Sequence, residues 1–170
     1  MSQNKYPLEQ ITLIKQKKLD EAEKNLKEKK IALEKEQEKL KTVEAERDKV
    51  KTHRDEKLQQ LREKLDEGTT TDKIQQMKLY LKDVDEKLKV KETKVTDQLK
   101  LVQAAEAKVE EARKEMVKRQ HDMEKMRLHR KEWEKEQKVI QEQKEALEMD
   151  ETGSTSFSRK KRQAKRSENG

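Results

Sequence analysis

Apolar residues recur at every seventh position through the second half of the chain: Ile74, Leu81, Leu88, Val95, Val102, Val109, Met116 and Met123. Three residues behind them runs a second series, Met77, Val84, Lys91, Gln98, Ala105, Ala112, Arg119 and Met126, continuing through Trp133, Ile140 and Leu147. Labelled a and d, the two series form a 3.5-residue repeat. Such a repeat keeps one seam of a helix facing a partner helix and so imposes a supercoil. A globular core requires no spacing this regular. The upstream half carries the same signal in Leu19, Leu26, Leu33 and Leu40, each seven apart, with Ala22, Val43 and Val50 between and beyond them. After Arg54 the apolar phase slips by four residues and resumes at Leu58, Leu61 and Leu65, which reads as a stutter that locally unwinds the supercoil.

The pattern breaks once. Gly68-Thr69-Thr70-Thr71-Asp72 holds the single glycine between the heptad runs; Gly68 suits a left-handed helix terminus, and Asp72 with Gln75 resembles a capping box. The expected fold class is therefore all-α: a long two-helix antiparallel coiled-coil hairpin with a disordered basic C-terminal tail. Its hairpin spans 7–151, with helix 1 about 7–67, turn 68–71 and helix 2 about 72–151. Pro7 sits at a helix start and Glu9 in its first turn, and the tail covers 152–170.

A short connection makes the helices antiparallel neighbours, with facing residue numbers summing to about 138. In that register Leu26 meets Ala112, Leu33 meets Ala105 and Ala22 meets Met116, so large faces small in successive layers. Each fully buried aliphatic contributes roughly 1.5 to 3 kcal/mol. A parallel dimer would set Ala against Ala and leave voids, so the residues favour a hairpin that is monomeric alone. Polar layers interrupt the seam, and Arg47 opposite Lys91 predicts a weak one.

The same register leaves an overhang. Leu8 falls near Arg130, so Trp133, Ile140 and Leu147 are expected to have nothing opposite them. At that end Leu8, Ile11, Leu13 and Ile14 are apolar on more faces than one seam needs. These four and Trp133 are the candidate partner-binding residues of the open end. A second candidate surface lies near the turn at Leu79, Tyr80 and Val90. The competing reading is that the overhang pairs with a second copy or frays.

Of the 170 residues 48% are charged and 29% hydrophobic, too few apolar side chains to bury a compact domain of this length. The net charge of +7 is uneven. Residues 151–170 carry six bases and two acids, a balance of +4 that leaves +3 for all the rest. A long flank tracking a phosphate backbone would need one-sided charge along the body, so no specific nucleic-acid partner is expected. There is no cysteine, no signal-peptide core and no apolar run long enough to span a bilayer, which favours a reducing compartment. No glycine-rich phosphate loop and no nucleophile–base pair is present, so neither an enzyme nor a small-molecule substrate or cofactor is expected. His53, His121 and His129 each precede a Glu by three residues; helix-surface pairing accounts for them better than a metal site.

Several strings occur in order along the chain: Tyr6-Pro7-Leu8-Glu9, Arg47-Asp48-Lys49-Val50-Lys51, Gly68-Thr69-Thr70, Met77-Lys78 with Tyr80, and Arg127-Leu128-His129 with Glu132-Trp133. Together they resemble the YscO-like proteins of type III secretion, related to flagellar FliJ, with the chlamydial members most alike. The likeness runs to about residue 150 and excludes the basic tail. It implies a non-enzymatic stalk of the hexameric secretion ATPase that reaches the export-gate membrane protein and carries secretion chaperones, in the bacterial cytoplasm at the cytoplasmic face of the apparatus. The residues alone leave another class open: a structural coiled-coil homodimer, or a nuclear or nucleic-acid-associated scaffold addressed by its basic tail.

Overall fold

The computed structural model describes residues 5–168. Helix α1 spans Glu9–Glu67 and helix α2 spans Thr71–Glu168, and no strand occurs among the described residues. The chain divides into two units, one formed by Lys18–Arg119 and the other by the residues on either side of it.

Within Lys18–Arg119 the helices lie side by side along one seam. On α2 the covered positions include Ile74, Met77, Leu81, Val84, Leu88, Lys91, Val95, Gln98, Val102, Ala105, Val109 and Ala112, the a and d series of the sequence. On α1 they step by threes and fours from Leu19 through Ala22, Leu26, Lys29, Leu33, Glu36, Leu40, Val43, Arg47, Val50, Arg54, Lys57 and Leu61. The expected stutter is absent. Arg54 and Lys57 hold the heptad phase, because the aliphatic stems of long basic side chains can cover a seam while their heads reach water. Leu58 is only half-buried beside them, and Leu65 is exposed.

Contacts across the seam fix the register. Arg54 Nε donates to Asp85 at 2.9 Å, Lys91 Nζ to Glu46 at 2.5 Å, and Gln98 Nε2 to the Glu36 carboxylate at 2.6 Å and its backbone carbonyl at 3.1 Å. The sums of these paired numbers, 139, 137 and 134, fall close to the expected value. Leu26 and Ala112, predicted to face each other, are both buried. The Arg47–Lys91 layer is better satisfied than its sequence suggests. Each base turns to an acid, Lys91 to Glu46 and Arg47 to Asp48 at 2.8 Å, so neither charge faces the other uncompensated.

At the turn Gly68 adopts a φ of 79°, the left-handed conformation of a helix C′ residue. A Cβ built there would meet nothing within 4 Å, so backbone conformation and not space calls for glycine. Helix α2 starts two residues earlier than the Asp72 cap predicts. The Ile74 amide donates to the Thr70 carbonyl at 3.2 Å, which makes Thr70 the N-cap and puts Asp72 inside the first turn.

In the other unit, Pro7 precedes the helix. The Glu9 amide donates to the Tyr6 carbonyl at 3.2 Å, closing a turn with Pro7 at its favoured second position. On α2 the last covered position is Gln137. The helix nevertheless continues past Asp150, where its end was expected, through Gly153 to Glu168. Extending an existing helix needs no new nucleus, and Thr155 and Ser156 add hydroxyl bonds to the carbonyls of Glu151 and Gly153. From 138 to 164 every side chain is exposed. Residues 169 and 170 of the expected disordered tail lie outside the described residues.

Candidate partner-binding site

The open end is built around Tyr6. The turn before α1 carries its ring back over α2, leaving it 5% exposed although it precedes the helix. Its hydroxyl is hydrogen bonded to His129 Nδ1 at 2.7 Å, and its ring stands edge-on to Trp133 with centroids 5.4 Å apart. The guanidinium of Arg130 lies 5.7 Å from the Tyr6 centroid and pairs with Glu9 at 3.3 Å and Glu134 at 3.1 Å. Lys15 and Asp122 pair about two turns further in, at 3.4 Å.

Trp133 therefore does not lack a partner, as the sequence register suggested: Tyr6 covers it from the same chain, and it is half-buried. Sequence reasoning missed Tyr6 because it lies outside the heptad. The Pro7 turn and the facing number, 6 opposite 133, were the available signals. Leu8 is half-buried at the seam, as are Thr12 and Lys15, whereas Ile11, Leu13 and Ile14 are 45%, 56% and 55% exposed. At 100° per residue, Ile11 and Ile14 fall on one flank of α1 and Leu13 on the face away from the seam. Ile140 and Leu147 keep the d phase on α2, and both are exposed.

Near the turn, the three residues singled out do not form one patch. Tyr80 is hydrogen bonded to His53 Nε2 at 2.8 Å with the rings at 81°, and lines an open groove of about 410 Å³ with Lys57, Gln60, Gln76 and Met77. Val90 lines a different groove, with Val50, Asp83, Glu86, Lys87 and Lys91. Leu79 is 65% exposed and shares the outer face with Val90.

Two of the three histidines thus engage a tyrosine across the hairpin, and among the described residues no three His, Asp or Glu side chains converge as a metal site would require. Electrostatics concentrate on the polar layers. A hydrogen bond from Lys39, and then one from Gln98, holds the Glu36 carboxyl below its ordinary value. Lys91 does the same for Glu46, while Asp85 and then Asp55 raise the Arg54 guanidinium further. Among the described residues no helix is long and apolar enough to cross a membrane.

These features define an all-α antiparallel coiled-coil hairpin with exposed apolar side chains at its open end. The sequence matches the YscO-like protein family over residues 3–163, and the chain belongs to that family of type III secretion proteins. Among solved structures, a candidate YscO homolog, CT670 of Chlamydia trachomatis, superposes with a TM-score of 0.87. It is 46% identical over 92% of this chain and 97% of its own. A chain from the Chlamydia pneumoniae CdsV and CdsO complex is 52% identical over 49% of this chain and 98% of its own, with a TM-score of 0.48. No curated protein matches.

Proposed function

We propose that this chain is the central stalk of a hexameric secretion ATPase, inserting its open end into the ring and linking that ring to the export-gate membrane protein. One observation carries the reading: Ile11, Leu13 and Ile14 stay exposed on faces of α1 that the seam does not use, beside an end that Tyr6 holds in order. Apolar side chains on several faces of one short stretch suit a helix surrounded on more than one side, as a ring surrounds an axle. Leu8 and Trp133, half-buried at the same end, complete the docking surface. Membership of the YscO-like family supports the same role.

In this reading the protein has no catalytic activity of its own and works in the bacterial cytoplasm, at the cytoplasmic face of the apparatus. Leu79 and Val90 on the outer face, and Tyr80 in its separate groove, offer further contacts near the turn for the gate protein or for secretion chaperones. Ile11→Asp combined with Ile14→Asp tests the assignment through co-purification with the ATPase and stimulation of ATP hydrolysis. Both should fall at least about tenfold, since two apolar side chains that the ring would cover are replaced by charges. Unchanged binding and stimulation would remove the open end from the interface.

Pairing between two copies is the alternative favoured by one feature, the uncovered d positions Ile140 and Leu147. Light scattering separates the two: the stalk reading expects a single-chain mass at every concentration, and a dimer mass that persists on dilution would favour pairing.

A further inference from the structure

The basic segment at the end of α2 is untouched by the stalk reading. From Thr152 to Ser167 the sequence contains six bases and no acid, whereas elsewhere acids and bases interleave and pair along each helix. Among the described residues none of Arg159, Lys160, Lys161 and Arg162 forms an ion pair, and all four are exposed. The segment is helical, and its side chains from 152 to 164 are exposed. Phe157, 68% exposed, falls on the same helix face as Ala164, seven residues on. Lys160 and Lys161, three and four residues after Phe157, flank the line between them. Leu147 and Met149, 70% and 75% exposed, add apolar surface upstream.

We propose that this helix is a membrane-surface element that binds anionic phospholipid, laying Phe157 into the headgroup boundary while the flanking bases meet lipid phosphates. Lysine and arginine stems can bury alongside an aromatic ring and still deliver their charges outward, which suits a planar interface. Bases at four consecutive positions point around most of the helix circumference. A protein groove would use only those aimed at its acids, whereas a sheet of mobile anions gathers to whichever bases approach it. Nucleic-acid strands are held by interleaved aromatics on which bases stack, and Phe157 stands alone ahead of the cluster.

Co-sedimentation of the full chain with two kinds of vesicle tests this: phosphatidylcholine alone, and equal parts phosphatidylcholine and phosphatidylglycerol. The chain should bind only the anionic vesicles, more weakly as salt rises. Replacing Arg159, Lys160, Lys161 and Arg162 together by Gln should weaken binding at least about a hundredfold, with helix content by circular dichroism essentially retained. Phe157→Ala should weaken it by about tenfold. Failure to bind anionic vesicles, full binding by the four-Gln variant, or no effect of Phe157→Ala would overturn the proposal, as would single-stranded RNA binding more tightly than the vesicles.

Discussion

The Tyr6 hydroxyl and the His129 imidazole meet at 2.7 Å across 123 positions of sequence, and this bond ties the turn before α1 to the middle of α2. It closes the seam one layer beyond the last heptad position of α1. Trp133, the single tryptophan of the chain, lies against the same ring and reports on the closure.

Tyr6→Phe keeps the edge-on ring contact and removes one hydrogen bond, so it should loosen this end by about 1 kcal/mol and leave Trp133 emission unchanged. Tyr6→Ala removes the ring as well. It should destabilise the end by about 3 kcal/mol and shift Trp133 emission to the red. Identical spectra for the two variants would show that Tyr6 does not cover Trp133.

Gly68→Ala should lower stability by about 1 kcal/mol in urea titration, because a Cβ disfavours a φ of 79°. Gly68→Asn should be milder, since Asn tolerates the left-handed region. Equal losses would point to a clash, and the open space around Gly68 provides none.

Glu36 and Glu46 are held ionised by Lys39 and Lys91, with carboxyl values below the ordinary 4.5. A carboxyl lowered in the folded state stabilises it fully above that ordinary value and loses the contribution as pH falls through the lowered one. Thermal midpoints should therefore drop as pH falls below about 4.5. Glu36→Gln with Glu46→Gln should flatten that decline without altering its direction, as the remaining carboxylates still titrate. An unchanged profile would mean that these two bonds make no net contribution, as surface ion pairs often do not.

Most of the hairpin was legible because a heptad encodes its own geometry. Positions a and d of α2 are the covered ones, and a turn at Gly68 then sets the register by arithmetic. Apolarity alone misplaced the seam where bases occupy it: Arg54 and Lys57 hold the phase through their stems, a role that their charge hides in a hydropathy pattern. The Arg47–Lys91 layer looked repulsive because register names the facing residue but not where its head turns, and both heads turn to acids. Tyr6 was invisible for a different reason. Its position depends on the Pro7 turn, which no periodicity describes. Of the candidate docking residues, Ile11, Leu13 and Ile14 are exposed as an excess of apolar faces implies, whereas Tyr80 and Val90 line separate grooves that sequence spacing could not separate.

The fold-back of the chain on itself is tested most directly by a disulfide. The protein contains no cysteine, so Leu26→Cys with Ala112→Cys places one thiol on each helix, at two buried positions that the register sets opposite each other. Under oxidation the bond should form within single molecules, giving a faster-migrating single-chain band on a non-reducing gel at every protein concentration. Bonds that form only between molecules, giving dimers that scale with concentration, would contradict the hairpin.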